Sequence, residues 1–144
     1  MVLPENIAEV MGGAEVLGRS IRSIVDLEGT ISRGLPRRAL RIAVERVYPE
    51  AGDARRIMFR VIPEATFKRR RTRLSPAESE RTERLARVIA AAEHTWGNRA
   101  DARAWLIHPH SELGGRTPLD ASMTELGARR VEELLERMYY GIPG

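Results

Sequence analysis

The stretch from Ser75 to Trp96, SPAESERTERLARVIAAAEHTW, constrains the fold more than any other part of this chain. Ser75 can accept the amide hydrogen three positions on, and Glu78 can reach back to the Ser75 amide. Pro76 lacks the N–H that would go unpaired in a first turn. Leu85, Val88, Ile89 and Ala92 then recur at helical spacing, and Gly97 suits a left-handed stop. The reading is a single helix of about twenty residues. It is the longest element of the chain and the spine that links its two halves.

The segments on either side read as short helices with short joints. In the first 33 residues, Val16, Leu17, Ile21, Ile24 and Val25 predict one amphipathic helix over about 14–26, part of an arm or an oligomerisation helix. Pro36 suits the first position of a helix carrying Leu40, Val44 and Val47, which Tyr48-Pro49 ends. Asp53 is placed to cap a second helix with Ile57, Met58 and Val61, and Pro63 opens a third, EATFKRRRTR. Two short helices joined by a tight turn, the second very basic, are the pattern of a helix-turn-helix. Beyond the spine, Asn98 caps a helix holding Ala102, Trp105 and Leu106, and Thr117-Pro118-Leu119-Asp120 repeats the cap-plus-proline pattern. Thr124 starts a last helix with Leu126, Val131, Leu134, Leu135 and Met138 on one face, closed by Gly141. No stretch reads as a strand, so the fold class is all-α.

Composition excludes several function classes. There are no cysteines, which removes disulfides and thiolate metal sites and fits a reducing compartment. No apolar run is long enough to span a bilayer, and MVLPENIAEVMGG lacks the basic and apolar regions of a signal peptide, so a cytoplasmic protein is expected. The net charge of +4 is unevenly spread: residues 1–73 carry 15 basic against 9 acidic groups (+6), and residues 74–144 carry 9 against 11 (−2). A basic first half and a mildly acidic second half imply two different partners.

The basic run holds Lys68, Arg69, Arg70, Arg71 and Arg73, with Thr66 at the start of its helix. Guanidinium groups supply the phosphate contacts that dominate DNA affinity and can fork onto a guanine edge. Four consecutive basic positions cover a whole helical turn, so some of them must pair locally or face solvent. Phe67 reads as core. His94, His108 and His110 are the only histidines, and His108-x-His110 flanks a proline in a turn without the further ligands that zinc needs; no metal site and no cofactor are expected. No nucleophile triad, P-loop or dinucleotide fingerprint is present, and Glu132-Glu133 reads as a solvated face, so the chain is not expected to be an enzyme. Trp96 and Trp105 read as core aromatics pinning the break at Gly97. Tyr139 and Tyr140, with Gly141, Ile142, Pro143 and Gly144, read as a terminal tail that cannot bury itself and suits a partner's pocket.

From Gly34 to Gly144 the chain resembles the Xre/MbcA/ParS-type antitoxins of RES–Xre toxin–antitoxin systems. The resemblance is carried by GLPRRAL, TFKRRRTRLSPAESERTERLARVIAAAE, AWL, HPHSELGGRTPLD, TELGARRVEELL and YYGI, in consistent order. Pro63-Glu64 at the start of the third helix, and Ala121-Ser122-Met123 where leucine-rich residues are common, depart from the family pattern.

The resemblance implies a type II antitoxin with an Xre-like helix-turn-helix (34–74) and a linking helix with a toxin-binding domain (75–144); residues 1–33, which precede it, read as an N-terminal arm or an oligomerising helix. It implies a RES-domain, NAD-degrading toxin as partner, its active site covered by the antitoxin. It further implies homodimers within a hetero-oligomer and repression of the operon at operator DNA. On this reading Thr66, Lys68, Arg69, Arg70, Arg71 and Arg73 meet DNA. Trp105, Gly114, Gly115, Arg116 and residues Tyr139 to Gly144 meet the toxin. A stand-alone helix-turn-helix regulator would share the first set and lack the second role.

Overall fold

The computed structural model describes residues 2–141. Ten α-helices follow one another, with no strand among the described residues: α1 Pro4–Val10, α2 Gly13–Leu17, α3 Ile24–Arg33, α4 Arg37–Glu45, α5 Ala51–Val61, α6 Glu64–Arg69, α7 Pro76–Trp96, α8 Arg99–Leu106, α9 Pro118–Ala121 and α10 Glu125–Tyr140. A 3-10 turn at Ser111–Leu113 lies between α8 and α9.

The spine forms as its caps dictate. Ser75 Oγ accepts from the Glu78 amide and the Glu78 carboxylate accepts from the Ser75 amide, a complete capping box, while Gly97 closes the helix with φ of 76°. Helices α1, α3, α4, α5, α8 and α10 all pack on α7. Its small and branched side chains Leu85, Ala86, Val88, Ile89 and Ala92 are buried among them. Alanines at such positions let neighbouring backbones approach closely, while the branched residues fill what remains.

The N-terminal region departs from the predicted single helix over 14–26. Gly18 takes φ of 80° and ends α2, and Ser23 starts α3 by accepting from the Asp26 amide. Two cap signals within six residues outcompete the apolar stripe, which leaves Ile24 and Val25 exposed. Nor is the region a loose arm: Ile7, Val10, Met11, Leu17 and Ile21 are buried in the common core. Asp53 is not a cap either. Helix α5 begins at Ala51, which puts Asp53 in the first turn, where its charge favours the positive helix end. Pro36 and Pro63 stand one position earlier than expected, at the N-caps of α4 and α6.

Helix α10 presents a different stripe from the one expected. Gly127, Ala128, Val131 and Leu135 are buried, whereas Leu126 is 70% exposed. The cause is Gly127, where a Cβ would stand 1.7 Å from the Ala121 carbonyl oxygen. The backbone of α10 approaches α9 through that missing side chain, and Leu126 is turned outward. Glu132 is half-buried and ion-paired rather than solvated; only Glu133 faces water. Of the two tryptophans, Trp105 is buried and Trp96 is 38% exposed, so one of them, not both, pins the junction.

Candidate functional site

Helices α5 and α6 are joined by Ile62 and Pro63, with Ile62 fully buried. Phe67 anchors α6 inward: it meets Phe59 edge-on at 6.0 Å between centroids, and the Arg37 guanidinium lies 5.0 Å over its ring. The predicted basic helix is shorter than its sequence. It ends at Arg69, and Arg70 is extended, with φ −77° and ψ 115°. Thus Thr66, Lys68 and Arg69 stand on α6, while Arg70, Arg71 and Arg73 lie on the segment leading to α7.

Tertiary bonds hold that segment out of the helix. The Arg70 guanidinium forks onto Glu78, Nε to Oε1 and Nη2 to Oε2, both at 2.9 Å, and its carbonyl accepts from Arg37 Nη1. The amide of Leu74 donates to the Leu35 carbonyl and that of Arg37 to Thr72, a short bridge beside which Arg73 Nη1 donates to Gly34. Gly34 has φ of 94°, and a Cβ there would stand 2.4 Å from the Leu74 carbonyl, so only glycine fits. The Leu35 amide donates to buried Ser79 of α7, which ties the bridge to the spine.

These bonds sort the basic groups. Lys68 Nζ lies 2.8 Å from Glu64 on its own helix, and Arg69 reaches only Thr66 Oγ1, at 3.4 Å. Among the described residues Arg71 has no hydrogen-bond or ion-pair partner. Arg69 and Arg71 are therefore the groups most available to an external anion. Arg70 is engaged internally, and its hydrogen bonds to the Glu78 carboxylate, with the Ser75 amide and its own charge adding to them, hold that carboxyl down at about 2. The Arg70–Glu78 pair went unseen in the sequence because eight residues separate its members across a helix break, a spacing with no local signature.

The second cluster lies after the spine. Trp105 packs against His110 at 5.1 Å, and the loop from His110 closes on itself, with the His110 amide donating to Arg116 and the Gly115 amide to His110. Gly114 and Gly115, both at positive φ, form its exposed corner, and Arg116 Nε donates to the Leu113 carbonyl. Tyr139 and Tyr140 are not on a tail. They occupy the last turn of α10, 48% and 60% exposed, with Tyr139 stacked on His94 at 4.6 Å and Gly141 closing the helix at φ of 67°. Ile142, Pro143 and Gly144 lie outside the described residues. The structure does not gather all of these groups on one face. A groove of about 370 Å³ beside Trp105 and His110 takes Arg137 and Met138 from one side of α10, while Tyr139 and Tyr140 line a larger groove on its other side. His108 and His110 face each other at 5.6 Å, and among the described residues no group of three or more metal-ligating side chains converges. No helix among them is long and apolar enough to cross a membrane.

Residues 26–87 match the antitoxin Xre-like helix-turn-helix domain, and residues 91–141 match the antitoxin Xre/MbcA/ParS C-terminal toxin-binding domain. The chain belongs to the Xre/MbcA/ParS antitoxin family. Among curated relatives, Antitoxin Xre of Yersinia enterocolitica is 39% identical over 85 residues, covering 56% of this chain and 57% of that protein. Antitoxin Xre of Pseudomonas putida is 36% identical over 84 residues, covering 56% of this chain and 53% of that protein. The chain thus spans about half the length of the curated relatives it matches. The helix-turn-helix match of this family member takes in α3 through the first half of α7, so the spine belongs to both domains.

Proposed function

We propose that this antitoxin neutralises a RES-domain, NAD-degrading toxin by covering its active site, and that it represses its own operon through α5 and α6. The observation that carries the first part is the exposed pair Tyr139 and Tyr140, rigid on a capped helix end within the segment matching the toxin-binding domain. Exposed aromatics on a rigid element are strong interface anchors because little side-chain entropy is lost on docking. Trp105 and the Gly114-Gly115-Arg116 corner form a second, smaller contact on the far side of α10. The protein acts in the cytoplasm as a homodimer within a larger complex, using no metal and no cofactor and catalysing no reaction.

The DNA part rests on Arg69 and Arg71, with Thr66, Lys68 and Arg73 beside them. Arg70 serves this surface by holding it through Glu78.

Co-expression with the RES-domain product of the adjacent reading frame tests the toxin reading. The two proteins are expected to copurify and the cells to survive, whereas removal of residues 139–144 abolishes protection. Full protection by the truncated chain would place the contact elsewhere, and a chain that binds operator DNA but no toxin would be a stand-alone regulator.

A further inference from the structure

The larger groove, of about 780 Å³, runs along α7 between α3 and α10. These two helices flank the spine and both pack on it. Its lining includes apolar groups, with Ile24 and Ile31 from α3 and the two tyrosines from α10. Ile24 is 65% exposed, a large aliphatic side chain lining a concave surface.

Charge along the groove is strongly one-sided. Six carboxylates and two guanidiniums line it. Within the lining, Arg87 reaches Glu83 at 2.8 Å, Glu132 at 3.0 Å and Glu125 at 3.5 Å, and Arg84 reaches Glu125 at 3.5 Å. Three carboxylates thus share two arginines. Burial is the main reason the Glu83 carboxyl is pushed up; Arg87 opposes the shift, and the neighbouring Glu132 and Glu125 add to it. The other three carboxylates, of Glu28, Glu80 and Glu136, are exposed and have no ion-pair partner among the described residues. An acidic trough that also presents aliphatic and aromatic side chains is complementary to an amphipathic helix carrying cations along one edge and apolar groups along its face.

We propose that this groove seats a basic amphipathic helix of the toxin, its cations meeting Glu28, Glu80 and Glu136 and its apolar face packing on Ile24, Ile31 and Tyr139. The partner's identity rests on the toxin reading above; the chemistry of the docked segment rests on the groove. The contact extends the tyrosine surface along the spine, so toxin binding also spans the N-terminal helices, outside the segment matched as toxin-binding.

The test is the affinity of full-length E28K/E80K/E136K for the RES-domain product of the adjacent reading frame, measured by calorimetry at two salt concentrations. The comparison is E15K/E45K/E50K, an equal charge change at exposed sites outside the groove. Both variants are first checked for an unchanged melting temperature. Groove reversal is expected to weaken binding by about tenfold or more and to flatten its salt dependence, while the comparison variant stays within about twofold. Equal effects of the two variants overturn the proposal while leaving the toxin reading intact. Absence of any complex with the unaltered chain overturns both. Loss of self-association in the groove variant with unchanged toxin affinity would make the occupant a second copy of this chain, and overturns the proposal.

Discussion

Glu78 performs three tasks with one carboxylate: it completes the cap of α7, accepts the Arg70 fork, and keeps the end of the basic run out of helix α6. Its folded value of about 2 lies below the ordinary 4.5, so it stabilises the protein fully above that ordinary value. The contribution is lost as pH falls from there through about 2. Urea unfolding at pH 6 and pH 3 checks this: Glu78→Gln should show a pH-dependent loss smaller than the parent's by about 1–2 kcal/mol. An equal loss in both would show that the pair carries no such linkage. Gly127 is the other residue on which much depends. A methyl group there meets a carbonyl oxygen belonging to backbone rather than a movable side chain, so Gly127→Ala should cost about 3 kcal/mol or more. A melting temperature within a few degrees of the parent's would contradict that packing.

At the scale of elements, α6, the helix proposed to meet DNA, is six residues long, too short to form alone, and owes its shape to Phe67 beneath it and the bridge behind it. Its exposed charges are separable from its structural ones. Arg69→Ala with Arg71→Ala should leave the fold intact, weaken operator binding, and reduce the salt slope by about two phosphate contacts. Arg70→Ala should lower thermal stability as well. If titration against operator DNA over a range of salt shows the double variant unchanged, phosphate contact belongs to other arginines, with Arg55 and Arg56 on α5 the next exposed candidates.

For the whole molecule, α7 makes two domains inseparable. Arg46, at the C-cap of α4, forks onto Glu93 of α7 at 2.7 and 2.8 Å and also approaches Glu9 of α1, while Arg87 joins α7 to α10. The N-terminal helices complete the same core, and Met11 is fully buried in it. Met11→Ala should therefore cost about 2–4 kcal/mol, read as a lower denaturant midpoint for the entire molecule in a single transition. A separate, early transition of the N-terminal region would mean that it is an appendage after all.

Local signals in the chain were sufficient wherever one residue satisfies its own neighbours. The capping box at Ser75, the caps at Asn98, Thr117 and Thr124, the stops at Gly97 and Gly141, and the all-α class could each be read without coordinates, because their hydrogen bonds close within four residues. Tertiary structure alone decided which charges of the basic run are available, since Arg70 and Arg73 are engaged by groups 8 and 39 residues away. It alone turned Leu126 outward, through a carbonyl of α9 that no periodicity in α10 can anticipate. It also set Tyr139 and Tyr140 on a helix beside an acidic groove assembled from α1, α3, α7 and α10. Periodicity reports the face a helix would bury in isolation; the face it does bury depends on where its neighbours can approach.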